Sequence, residues 1–179
     1  ITGTAEPGSA IEVFNGTTSL GIATVTANGA YTFTPTSALP DGNYVLTLKT
    51  KDAAGNVSAA SANFNFSIDA TAPNAPVIVS VDGKTNQNFV ISNNRPITIG
   101  TTENLASVEL FSGTLSFAII TANANGGFTF TPTSALPDGN YVLTARATDA
   151  AGNVSAASAS FSFSIDTSVP LAPVIVSVD

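Results

Sequence analysis

Apolar residues fall on every second position along much of the chain. Ile11-Glu-Val13, Tyr31-Thr-Phe33 and Val108-Glu-Leu110 alternate in this way, and Tyr44, Leu46 and Leu48 form one face of a longer run that carries Lys49 and Lys51 on the other. Phe64, Phe66 and Ile68 do the same. A period of two is that of a half-buried strand, and no stretch shows the three-to-four spacing of a helix. Turn signals separate the runs: Glu6-Pro7-Gly8-Ser9, Asn15-Gly16, Asn28-Gly29, Pro40-Asp41-Gly42-Asn43 and Ala54-Gly55-Asn56. Short strands with frequent turns predict an all-β sandwich.

The pattern occurs twice. Thr34 to Thr47 returns unchanged at Thr131 to Thr144, an offset of 97 residues that holds without a gap from Gly3/Gly100 to Asp82/Asp179. A repeat of that length is a whole domain in an array, since solenoid repeats are much shorter. The fold class is therefore tandem immunoglobulin-like Greek-key β-sandwich domains. Residues 1–73 form the first and 74–170 the second. In the second unit strands are predicted over Val77–Val81, Pro96–Thr102, Ser107–Phe111, Phe117–Ala122, Gly127–Thr131, Asn140–Asp149 and Ser160–Asp166. Tyr44 and Tyr141 then fall where a tyrosine corner is expected, ring buried and hydroxyl bonded to nearby backbone.

Ile1 aligns with Thr98, so the first unit has no counterpart of the strand Val77–Val81. Residues 171–179 carry such a strand, Val174 to Val178, beyond the second unit. An apolar strand and an open sheet edge suit strand addition, and the expectation is that this segment completes the first domain of a neighbouring molecule, head to tail. The chain reads as an excerpt from a longer array.

Composition narrows the chemistry. Hydrophobic residues at 44% suffice for two cores, whereas charged residues are only 9% and the net charge is −7. Without clustered Lys or Arg, nucleic acid is not an expected partner. Cys and His are absent, which removes thiolate nucleophiles, disulfides, zinc–thiolate sites and the commonest general base. With no phosphate-binding loop either, the chain is not expected to be an enzyme. No apolar run is long enough to span a membrane, and the first residues do not read as a signal peptide.

All twelve acidic residues form pairs at the 97-residue offset. In a sandwich of this topology Glu103, after the second strand, and Asp149, closing the sixth, lie at the end where the chain enters. Asp69, at the exit of the first domain, is delivered there by the linker Ala70–Pro76. Three carboxylates about 5 Å apart repel by roughly 3 kcal/mol per pair at an effective dielectric near 20, so a cation is expected. Oxygen ligands without His or Cys suit calcium better than magnesium. The expected ligands are Asp69, Glu103, Asp149 and Asn153, with Glu6, Asp52 and Asp166 as the equivalent half-sites at the two ends. Asp41, Asp138 and Asp82 read as turn residues, and Glu12 and Glu109 as solvated strand residues.

The motifs resemble a family. A strand ending in Asp69 and then Ala-Thr-Ala-Pro-Asn-Ala-Pro-Val77, the turn Gly3-Thr-Ala-Glu-Pro-Gly-Ser9, Leu39-Pro-Asp-Gly-Asn-Tyr44 and Asp52-Ala-Ala-Gly-Asn-Val-Ser58 are together similar to the bacterial Ig-like repeats of giant type I-secreted adhesins. The resemblance covers essentially the whole chain. It implies extender repeats on the bacterial cell surface, rigidified by calcium between adjacent Ig-like domains and serving adhesion and biofilm formation. A glycan- or protein-binding module is the alternative. The second unit departs from the motif where Asn104-Leu105 replaces Pro7-Gly8, which predicts a differently shaped turn and a different aim for Glu103.

Overall fold

A computed structural model describes residues 1–176 of the chain, all-β among the described residues. Two compact units, Ile1–Thr71 and Ala72–Asp179, are separated by contact pattern.

The first unit contains β1 (Thr2–Thr4), β2 (Ala10–Asn15), β3 (Thr18–Thr24), β4 (Ala30–Thr32), β5 (Gly42–Lys51) and β6 (Phe64–Ile68). One layer is the pair β1–β4; the other is the sheet β3–β2–β5–β6. Alternation places Ile11 and Val13 of β2, Tyr31 of β4 and Tyr44 and Leu46 of β5 between the layers, all buried. β2 and β3 carry a bulge between Val13 and Phe14.

The second unit contains β7 (Val77–Val81), β8 (Phe89–Ile91), β9 (Thr98–Thr101), β10 (Ser107–Ser112), β11 (Leu115–Thr121), β12 (Gly127–Phe130), β13 (Gly139–Thr148) and β14 (Phe161–Ile165). The layers are β12–β9–β7 and β11–β10–β13–β14–β8. The bulge recurs between Leu110 and Phe111. β9 is three residues shorter than the alternation suggests, Thr98–Thr101 in place of Pro96–Thr102, whereas β10 extends one residue further, to Ser112, and β11 begins two residues earlier, at Leu115.

β8 was not expected. Its residues lie in the Asn-rich stretch between β7 and β9, which reads as loop, yet Phe89–Ile91 pairs parallel to β14 through Phe163↔Phe89 and Ile165↔Ile91. The chain thus leaves β7 in one layer and enters the other. Asp82 (φ 49°), Gly83 (φ 74°) and Asn88 (φ 61°), residue types that tolerate left-handed backbone, accomplish the crossing.

Both tyrosine corners form. Tyr44 Oη donates to Pro40 O at 2.6 Å and Tyr141 Oη to Pro137 O at 2.8 Å. Each ring stacks on the facing strand, Tyr44 on Phe66 and Tyr141 on Phe163, with centroids 5.2 and 5.3 Å apart. Burial, and then the nearby Asp138 charge, push the Tyr141 hydroxyl pKa up.

The stretch between the last two strands of each unit carries two serines three residues apart and joins no strand. In the second unit Ser155 Oγ and Ser158 Oγ accept from the amides of Ala147 and Ala145 at 2.9 Å, while their own amides donate back to the same residues. Ser58 and Ser61 repeat this on Thr50 and Leu48. A Ser-Ala-Ala-Ser spacer is thereby held on the strand edge without joining the sheet.

Residues 171–176 of the expected extra strand take up no strand and are exposed; residues 177–179, including Asp179, lie outside the described residues.

Candidate metal-binding carboxylates

The end of the second unit that receives the linker is fixed by strand register. Val77 stands opposite Thr101 and Ser107 opposite Thr148. The turn carrying Glu103, the loop opening with Asp149 and the incoming Asn74–Pro76 therefore share one end of that unit. A shallow cavity of about 280 Å³ lies between linker residues Asn74 and Ala75 and the side of Thr102 and Glu103. Beside it the buried Thr102 Oγ1 has no hydrogen-bond partner among the described residues.

The Glu103 turn keeps the shape of its counterpart, contrary to expectation. Ala106 N donates to Glu103 O at 3.3 Å just as Ser9 N donates to Glu6 O at 3.2 Å. Leu105 adopts φ 61° where Gly8 has φ 75°. The Asn-Leu substitution is accommodated by strain rather than by a new turn. Both glutamate side chains are exposed.

Asp149 organises its own loop. Its Oδ1 accepts from the amides of Ala151 and Asn153, each at 2.9 Å, and its Oδ2 from Asn153 Nδ2 at 2.9 Å. Asp52 does the same with Asn56 through its amide and side chain, both at 2.8 Å. The asparagine side chain, ahead of the backbone amides, holds each carboxyl below its ordinary value. The sequence pairs Asp149 with Asn153 as co-ligands; in the structure the asparagine donates to the aspartate, so each is oriented by the other.

Asp69 and Asp166 sit where the strands end, and sequence reasoning missed what surrounds them. Asp41, read as a turn residue, reaches across 29 positions: Ala70 N donates to its Oδ1 at 2.8 Å and Thr71 Oγ1 to its Oδ2. Asp69 Oδ1 accepts from Thr71 N at 3.1 Å. Asp138 repeats the grip on Thr167 N at 3.0 Å, Thr167 Oγ1 at 2.8 Å and Ser168 Oγ at 3.2 Å, while Asp166 takes Ser168 N at 2.9 Å. Threonine hydroxyl donation, followed by the amide, lowers the pKa of Asp41 and of Asp138. Each unit thus releases its chain through a knot of two carboxylates. The 97-residue pairing of Asp41 with Asp138 was visible; that the fourth-to-fifth strand corner lies beside the exit was not.

Glu12 and Glu109 stand opposite Lys49 and Arg146 on neighbouring strands; Ser116 Oγ donates to Glu109 Oε1 at 2.6 Å, and Lys49 Nζ lies 5.7 Å from the centre of the Phe14 ring.

Within either unit, no three acidic side chains converge to hold a metal among the described residues. Asp69 belongs to the first unit and Glu103 and Asp149 to the second. The donor set is entirely oxygen and fits a hard cation.

A family profile described as "Bacterial Ig-like domain" matches residues 1–70 and 73–167. Exoglucanase B of Cellulomonas fimi is 34% identical over 181 residues, covering 90% of this chain and 15% of that protein. Chitinase A1 of Niallia circulans is 34% identical over 145 residues, covering 74% of this chain and 19% of that protein. The chain thus spans less than a fifth of these curated relatives. Among solved structures, a tetra-tandem repeat in the extending region of a large adhesion protein is 25% identical, covers 93% of this chain and 45% of that chain, and has a TM-score of 0.41. The BSP domain of a biofilm associated protein is 21% identical over 90% of this chain and 25% of that chain, with a TM-score of 0.40. At these scores neither carries an argument about function.

Proposed function

Because this chain belongs to the bacterial Ig-like domain family, we propose that it is an extender segment of a long extracellular surface protein, a spacer stiffened by calcium between successive domains. The observation that carries the reading is the doubled fastening at the strand exits. Asp41 and Asp69 fix how Ala70 and Thr71 leave the first unit, and Asp138 and Asp166 do the same for Thr167 and Ser168. A repeat that controls the direction of its own exit suits a rod. Pro73 and Pro76 stiffen the linker further, since each fixes φ and removes an amide donor.

Asp69, Glu103, Asp149 and Asn153 would hold the ion at the junction, and Glu6, Asp52 and Asp166 would form the half-sites that further repeats complete. Calcium would supply charge neutralisation and a crosslink. Asn74, Ala75 and Thr102 line the same cavity as Glu103, and the unpartnered Thr102 hydroxyl would be a further oxygen donor there. In this reading the surface served is that of a bacterial cell, and adhesion and biofilm formation are the purposes of the parent protein.

A second reading shares the mechanics and changes the parent. The 34% identity to Exoglucanase B and Chitinase A1 favours a spacer inside a polysaccharide-degrading enzyme, and the chain itself would still perform no chemistry. A glycan-binding role for the chain has weaker support: Trp is absent and two of its three Tyr are committed to corners.

Calorimetry tests the metal. Extracellular modules bind calcium at roughly 10⁻⁴ to 10⁻³ M, so 10 mM ion should add about 1.4 to 2.7 kcal/mol and raise the melting temperature by a few degrees. Magnesium should do less, and Asp69→Asn should abolish the gain. Equal melting temperatures in calcium and chelator would defeat the calcium reading, and a reproducible hit on a glycan array would favour a binding module.

A further inference from the structure

The chain enters the second unit in one layer and leaves it from the other. It arrives on β7, in the sheet β12–β9–β7, and departs at the end of β14, in the sheet β11–β10–β13–β14–β8. Each layer is hydrogen-bonded within itself, and apolar side chains such as Ile78, Val81, Phe128 and Leu143 fill the space between. Such packing is non-directional, so it lets the layers slide where a ladder of directed hydrogen bonds does not. β8 crosses between them. It follows β7 in sequence yet lies on β14, and so ties the incoming chain directly to the strand by which the chain leaves.

We propose that β8 and β14 form the force-bearing clasp of the second unit, the contact that must part before the unit can be pulled open through its two ends. The direction of pairing carries the inference. β8 and β14 run parallel through Phe163↔Phe89, Ser164↔Val90 and Ile165↔Ile91. Tension draws β8 back by its amino-terminal end and β14 forward by its carboxy-terminal end. The two strands are then dragged lengthwise past each other, and every bond across the pair is strained together. An antiparallel hairpin pulled at its two adjacent ends would instead open one bond at a time.

The pair is reinforced at both ends and on its inner side. Asn88 N donates to Ser162 O at 2.8 Å where β8 begins, and Asp166 N donates to Ile91 O at 3.0 Å where β14 ends. One residue further out, Gln87 Nε2 donates to Ser160 O at 3.0 Å. Phe89 stacks on Phe163 with ring centroids 6.0 Å apart and meets Phe161 edge-on at 6.2 Å, while Phe163 stacks on Tyr141 at 5.3 Å. One aromatic row therefore joins β8, β14 and β13. β7 is fastened less evenly, because its pairing with β9 skips Val79. The use of such a clasp rests on the extender reading, since a spacer is pulled from both ends.

Constant-force unfolding of the whole chain, held by its two termini, tests the clasp. Fully extended, residues 77–165 span about 300 Å and residues 2–68 about 230 Å, which tells the two units apart. Val90 is 65% exposed, so Val90→Pro removes a backbone amide from the middle of β8 and leaves the core side chains in place. It should speed the opening of the second unit under load about five- to tenfold, the effect of one hydrogen bond. Gln87→Ala, which spares the backbone, should act in the same direction and by less. The route of the load is then switched. The chain has no cysteine, and Val77→Cys with Thr101→Cys stand opposite each other on β7 and β9. Once oxidised, this pair passes the load to β9 and bypasses β8. Val90→Pro should then leave the rate under load unchanged, and its effect should return on reduction. Rates indifferent to both Val90→Pro and Gln87→Ala, or shifted equally with and without the crosslink, would overturn the clasp and leave the extender reading standing. Melting temperatures indifferent to calcium would defeat the calcium reading and leave the mechanics of the clasp in place.

Discussion

The two units of this chain are near copies in sequence and unequal in structure. Phe161, Phe163 and Ile165 of β14 are buried on one side by β13 and on the other by β7 and β8, through Ile78, Val81 and Ile91. Phe66 and Ile68 at the same positions of β6 are only half-buried, and Phe64 is exposed. Ser155 and Ser158 are buried while Ser58 and Ser61, which make the same hydrogen bonds, are open to water. Gln87 Nε2 on Ser160 O and Asn88 N on Ser162 O fasten the β7–β8 segment over this edge of the second unit. Nearly identical strands, Phe-Asn-Phe-Ser-Ile and Phe-Ser-Phe-Ser-Ile, therefore differ in worth according to what lies on them. Two short strands complete one core, and the tyrosine corners, bulges and exit knots form without them.

The largest effect should come from the phenylalanine pair. Phe161→Ala removes a buried ring and should cost about 3 to 5 kcal/mol, whereas Phe64→Ala should change stability by no more than about 0.5 kcal/mol as a surface substitution. Urea denaturation, followed separately for the two units, reads the difference. Equal losses at low protein concentration would mean that the first unit is already covered.

The next effect reverses the direction. Leu105 holds a left-handed backbone that costs a non-glycine residue about 1 to 2 kcal/mol, and its side chain is exposed. Leu105→Gly should stabilise the second unit by about 0.5 to 1 kcal/mol after the extra flexibility of glycine in the unfolded chain is counted. Gly8→Leu should destabilise the first unit by a comparable amount. Thermal melts of the reciprocal pair decide whether the two turns share one geometry.

The smallest effect should be common to both units. Asp41 and Asp138 have folded-state pKa values lowered below 3.8 by Thr71 and Thr167. Their contribution is present above the unfolded value and disappears as pH falls through the folded one. Asp41→Asn and Asp138→Asn should each make the loss of stability below pH 3.8 shallower, with little change at pH 7 beyond the lost charge-assisted bonds. Acid titration of melting temperature checks this, and a slope unchanged by both substitutions would show that the knots carry no stability.

Much of the fold was legible because period-two alternation and turn dipeptides are local. Ile11, Val13, Tyr44 and Leu46 announce their burial by spacing alone, and Tyr44 and Tyr141 by their place after Pro-Asp-Gly-Asn. β8 was hidden since Phe89-Val-Ile91 has no alternation and sits among asparagines. The acidic residues were legible as pairs at the 97-residue offset, Asp69, Glu103 and Asp149 among them, and so was the company of Asp149 and Asn153, yet the hydrogen bonds around Asp41 and Asp69 were not. Asp41 meets Ala70 and Thr71 only after the sheet has closed, and no local pattern encodes a contact 29 positions away. The shape of the Glu103 turn was misjudged for a related reason. Residue preference says that Leu105 disfavours the left-handed backbone of Gly8, and the surrounding strands impose it regardless.

Stiffening by calcium is the central claim, and small-angle X-ray scattering of the chain in calcium and then in chelator tests it most directly. A stiffened junction predicts a longer maximum dimension and a narrower distance distribution in calcium, both lost in chelator and both absent from Asp69→Asn. A maximum dimension that is the same in calcium and in chelator, at a concentration where the chain is monomeric, would contradict it.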